Sequence, residues 1–108
     1  MNDTDERYSA LAEVLKAMAH PGRLKMLDAL RDGERCVGEL QELVGSDLST
    51  VSRHLSVMRS AGLLSSRREG NQIFYELRVP CVMKTFACIE AVLREDARAA
   101  QKLVARAS

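Results

Sequence analysis

Tryptophan is absent from these 108 residues, and two tyrosines and two phenylalanines are the whole aromatic complement. Sandwiches and barrels draw on aromatic and β-branched side chains. A chain whose 46% hydrophobic content comes chiefly from Leu, Ala, Val and Met is therefore expected to be mostly α. No run approaches the roughly 18 apolar residues that a membrane-spanning helix needs, and the acidic start (Asp3, Asp5, Glu6) lacks the basic stretch of a secretion signal. Both absences point to the cytoplasm and away from a membrane. Thiols stay reduced there, so Cys36, Cys81 and Cys88 are expected as packed thiols, metal ligands or redox switches rather than structural disulfides. Catalytic furniture is missing too. There is no nucleophile with a base and orienter, no phosphate-cradling glycine loop and no carboxylate pair in an apolar setting, so no enzyme is expected.

A surplus of either charge is also lacking, since 16 Lys and Arg stand against 15 Asp and Glu. That total argues little for nucleic acid, but its distribution does. Between Ser49 and Gln72 lie Arg53, Arg59, Arg67 and Arg68 against the single acid Glu69, while acids gather at the start and between Glu34 and Asp47.

The length suits a single domain over residues 1–108. Asp3 and Glu6 have capping-box spacing before Tyr8, Leu11, Leu15 and Met18, which recur at helical intervals to about His20. Pro21 suits the first turn of a second helix, to which Leu24, Leu27 and Leu30 give one apolar face, with Gly33 as its stop. Val37, Leu40, Leu43 and Val44 mark a third helix ending at Gly45, and Asp47 caps a fourth that runs to about Ala61. Two helices joined by so short a turn form a helix-turn-helix. In the fourth helix Leu48, Val51, Leu55 and Met58 are expected inward, leaving Ser49, Ser52, Arg53, Ser56 and Arg59 on other faces. The period then changes toward two, predicting a β-hairpin from Leu63–Arg68 and Gln72–Leu77 around a Glu69-Gly70-Asn71 turn. Pro80 opens a last helix with two adjoining lines, Val82, Phe86, Ile89, Leu93 and Cys81, Thr85, Cys88, Val92. That stripe is wider than one neighbour needs.

The expected architecture is a winged helix-turn-helix of five helices and a two-stranded wing, dimeric through its outer helices. A helix fits the DNA major groove and a hairpin beside it can follow the backbone. Ser49, Thr50, Ser52, Arg53 and His54 are the candidates on the helix, Arg53 first because its planar fork can hold guanine or phosphate. Arg67, Arg68, Asn71 and Gln72 are the candidates on the wing, contacting phosphate and sugar. Either element alone reads as solvated surface; in this order, joined by so short a turn, they read as a DNA-binding face.

Four segments then resemble the ArsR/SmtB metalloregulators: Leu15–Leu24 (LKAMAHPGRL), Cys36–Leu40 (CVGEL), Ser49–Leu55 (STVSRHL) and Arg67–Tyr75 (RREGNQIFY). The resemblance implies a homodimer built by the first and last helices, bound to an operator in double-stranded DNA and released by an inducer. Cys36 stands where many members begin a Cys-Val-Cys pair, but Gly38 replaces its second cysteine, so that site is incomplete. The last helix holds no histidine, which argues against the family's zinc site. The remaining metal-site candidates are Cys81 and Cys88, with Cys36 behind them, and thiols favour soft ions such as As(III). Seven positions apart on a helix, Cys81 and Cys88 stand roughly 10 Å apart along its axis. They could share one ion within a subunit only if the helix begins after Cys81 or a third group intervenes; otherwise ligation, or oxidation to a disulfide, is expected across the dimer. The plainer reading is that each thiol simply packs, as Met18, Met26, Met58 and Met83 do. A winged helix serving only protein contacts is the further alternative.

Overall fold

Acids in the first turn (Asp3, Asp5, Glu6) and Lys16 in the last complement the dipole of α1, Asp3–Met18. Asp3 is already helical in the computed structural model, which describes residues 3–107, so Asp3 and Glu6 act as first-turn acids and not as a capping box. His20, in extended conformation, caps α2 (Pro21–Ala29), its Nδ1 accepting from the Gly22 N–H at 3.0 Å. α2 is shorter than the periodicity predicts: a 3-10 turn over Leu30–Asp32 leads to Gly33, where φ is 138°.

β1 (Arg35–Cys36) was not foreseen. It pairs antiparallel with β3, placing Arg35 opposite Tyr75 and Cys36 opposite Phe74, so the wing is a three-stranded sheet in the order β1-β3-β2. β2 (Leu64–Glu69) and β3 (Gln72–Leu77) pair out to Glu69 opposite Gln72. Only Gly70 and Asn71 remain for the turn, one residue fewer than expected. Gly70 has φ 61°, the conformation a tight hairpin asks of its first central residue and glycine gives without strain.

Helix α3 (Val37–Val44) ends at Gly45 with φ 77°, and Asp47 caps α4 (Leu48–Ser60), its carboxylate accepting from the Thr50 N–H at 2.7 Å. Hydrogen bonds from the Thr50 amide and hydroxyl hold the Asp47 carboxyl below its usual range. The core under these helices is built from Met26, Leu27, Leu40, Leu55, Met58 and Leu64, all fully buried. Pro80 opens a second 3-10 turn, Pro80–Met83, and not yet the last helix: α5 runs Lys84–Ala107, so Cys81 and Val82 lie before it rather than on its stripe. The apolar faces of α1 (Tyr8, Leu11, Leu15) and α5 (Ile89, Val92, Leu93) stand open to solvent. Among the described residues no helix is long and apolar enough to cross a membrane.

Candidate nucleic-acid interface

One face of α4 is polar and open. Ser49, Ser52 and Arg53 are exposed and Thr50 is half-buried beside the Asp47 cap. The wing lies next to this face: Ser52 of α4 and Asn71 and Gln72 of the hairpin line one cleft of ≈ 440 Å³, together with Cys36, Gln41, Leu48 and Ile73. Site residues predicted from two separate segments thus meet. Arg68 pairs with Ile73 across the ribbon, and directly opposed residues share a face, so Arg68 stands on the side of the ribbon that carries Ile73.

Arg67 is placed differently. Paired with Phe74 on the other face, its guanidinium lies 4.6 Å from that ring's centroid. Glu34 accepts from its Nε at 3.1 Å and Glu69 from Nη1 at 2.6 Å. The same contact with Arg67 holds the Glu34 carboxyl below its usual range, and the arginine's own pKa is raised by the two carboxylates. Its charge is balanced within the protein, which corrects the expectation that both wing arginines offer themselves to phosphate. Among the described residues Arg68 forms no ion pair of this kind.

Two further expectations are corrected on α4. Leu48, predicted inward, is 53% exposed, because it begins the helix beyond the core and borders the cleft instead. His54, predicted on the DNA-facing surface, is 4% exposed and lies beneath the helix. Its Nδ1 accepts from Arg23 Nε at 2.9 Å, and its ring is 4.3 Å from that of His20, centroid to centroid. Burial, followed by the charges of His20, Arg23 and Arg53, pushes its pKa down.

The three thiols sit on three different elements. Cys36 is half-buried at the start of α3, while Cys81 in the 3-10 turn and Cys88 on α5 are exposed. The Cys36 amide donates to the Glu39 carboxylate at 3.2 Å. That amide and then the thiol lower the Glu39 pKa, with Arg35 assisting. A Cβ at Gly38 would lie 4.0 Å from Cys36 Sγ, so the missing second cysteine would have stood beside the first. Among the described residues no three His, Cys, Asp or Glu side chains gather as metal ligands. One protomer therefore lacks a complete site for As(III).

Gln41, Leu48 and Glu34 entered the site without being expected there. Gln41 breaks the apolar run of α3 and could have been noticed; Glu34 is 33 residues from its partner Arg67, beyond the reach of any local pattern.

A helix-turn-helix whose second helix shows a polar, basic face beside an antiparallel wing defines a winged helix-turn-helix protein. The model of the bacterial regulatory proteins of the arsR family matches residues 20–66. An HTH-type transcriptional regulator of Mycobacterium tuberculosis is 36% identical over 92 residues, 84% of this chain and 81% of the relative. A biofilm growth-associated repressor of Xylella fastidiosa is 40% identical over 75 residues, 69% of this chain and 66% of its own. A solution structure of a homodimeric winged helix-turn-helix DNA-binding domain from Mycobacterium bovis, a possible ArsR-family regulator, superposes with a TM-score of 0.76 at 34% identity, covering 90% of this chain and 91% of that one. The chain belongs to the arsR family and is a transcriptional regulator rather than an enzyme.

Proposed function

We propose that the protein is a homodimeric repressor that binds operator DNA through α4 and the wing and is released by a thiophilic inducer. The observation that carries DNA binding is the shared cleft of Ser52, Asn71 and Gln72, which places helix and wing side by side as groove and backbone contacts require. Within that surface Ser49, Thr50, Ser52 and Arg53 approach base edges, and Arg68, Asn71 and Gln72 hold phosphate and sugar. The homodimeric M. bovis domain and the open apolar faces of α1 and α5 support two copies per operator. The Xylella relative's name supports repression.

The inducer is assigned to Cys81 and Cys88 because both thiols are exposed beside the dimer-forming face, and the resemblance selects As(III) among soft ions. Since no three such ligands gather among the described residues of one protomer, thiols of the second subunit are assigned to complete the set. An inducer can weaken DNA binding only by preferring the conformation DNA does not. The same exposure suits a second reading, oxidation of the two thiols to an intersubunit disulfide by a peroxide.

The test is anisotropy of labelled upstream DNA against reduced protein. Arg53→Ala is expected to weaken binding by about 1–3 kcal/mol. Arg68→Ala should lower the salt slope by about one per protomer, since each lost phosphate contact releases one counterion fewer. Arg67→Ala should leave that slope unchanged. Unaltered affinity after replacing both Arg53 and Arg68 would point instead to a module for protein contacts. Arsenite should release DNA from the wild type and from Cys36→Ser but not from Cys81→Ser or Cys88→Ser. Release by hydrogen peroxide alone, with a cross-linked dimer on a nonreducing gel, would establish the redox reading.

A further inference from the structure

Beneath α4 lies a cluster of three side chains that DNA contact does not use. Arg23 of α2 donates through Nε to His54 and through Nη1 to the Ala17 carbonyl of α1, 3.4 Å away. His20, which caps α2, lies against the His54 ring. Any Cβ at Gly22 would meet the His20 ring at 3.2 Å, so the cap closes this tightly only over glycine. One guanidinium therefore ties the end of α1 to the inner face of α4. The bond requires an unprotonated Nδ1 on His54, because the Arg23 side chain has no acceptor to offer.

Resting on the operator-binding reading, we propose that His54 is a positioning residue for α4: neutral, it locks the helix to Arg23, and protonation at Nδ1 releases that lock and lowers operator affinity. Protonation would set an N–H against the N–H of Arg23. The charges acting on His54 are His20 and Arg23 from the α1–α2 junction and Arg53 on α4 itself, and they are all basic groups; α3 and β2, also packed on α4, add none. Glu13 and Lys16 border the cleft beside Arg23, but they pair with each other at 3.3 Å. Among the described residues no carboxylate is among the charges that act on His54. Burial and these neighbours lower the His54 pKa, so the neutral form prevails at neutral pH and the lock is lost as pH falls through the lowered value.

The sign makes the inference testable. Adding positive charge to a DNA-binding protein strengthens its general attraction to phosphate, whereas release of the lock weakens binding. Operator affinity of the wild type is expected to hold near neutral pH and to fall as pH drops through the lowered His54 value, by less than about tenfold per protomer at about pH 5.5. In His54→Asn the amide oxygen replaces Nδ1 as acceptor and cannot titrate, so binding near pH 7.5 should match the wild type and the acid loss should disappear. Nitrogen-15 NMR of the DNA-free wild type should show the Nε2–H tautomer of His54, with α4 amides shifting as it protonates. Equal acid loss in His54→Asn, an Nδ1–H tautomer or unmoved α4 amides would each overturn the inference. If the wild type fails to bind DNA near pH 7.5, the operator reading falls, and the tautomer and amide shifts still decide whether His54 positions α4.

Discussion

Ile89→Glu and Leu93→Glu are each expected to give a folded monomer whose operator affinity has fallen by about 10²-fold or more, the loss that follows when two linked half-site contacts become one. Ile89 is 56% exposed and Leu93 63% in the single protomer. With Met18, Leu24 and Phe86 they line an apolar groove of ≈ 220 Å³ between α1, α2 and α5. Neither side chain supports the protomer's own core, so glutamate there leaves folding intact. In a dimer the same positions are covered, and a buried carboxylate without a partner costs several kcal/mol. Sedimentation equilibrium would show the change in mass, circular dichroism the retained helix, and anisotropy the lost affinity. A mass that stays dimeric would move the interface off α5, and full affinity in a proven monomer would show that a single half-site suffices.

The helix-turn-helix and the hairpin were legible because each is long enough to express its period, and because Gly45, Asp47 and Gly70 mark the junctions. β1 was not, because two residues have no period; it exists only through its partner Tyr75 and Phe74 on β3. His54 shows a different kind of failure. Val51, His54, Leu55 and Met58 form an unbroken i, i+3, i+4, i+7 stripe, all buried, so periodicity by itself places the histidine inside. Its polar character outweighed that spacing, and what makes burial tolerable is Arg23, 31 positions away. Arg67 was misplaced for the same reason, since strand alternation separates it from Arg68 but cannot show that Glu34 is waiting on its side. Local pattern carries which residues are in and out; long-range charge pairing decides which of the outer ones stay available.

Leu55→Ala is expected to destabilise the protein by about 2–5 kcal/mol, the usual cost of a cavity where a fully buried leucine stood, while Leu48→Ala on the same helix should change stability by less than about 0.5 kcal/mol. Their spacing, a full two turns, puts both on the apolar side of α4 by simple periodicity. Their burial separates them, 0% exposed for Leu55 against 53% for Leu48. A folding free energy of only about 5–15 kcal/mol makes the first loss large, and urea denaturation at fixed protein concentration would measure it, since dimerisation makes the midpoint concentration-dependent. Equal costs would mean that Leu48 is covered in solution. Leu48 borders the cleft shared by α4 and the wing, so its truncation should act on DNA affinity with the fold intact, whereas Leu55 can reach the operator only through the stability of the helix that presents Ser49, Ser52 and Arg53.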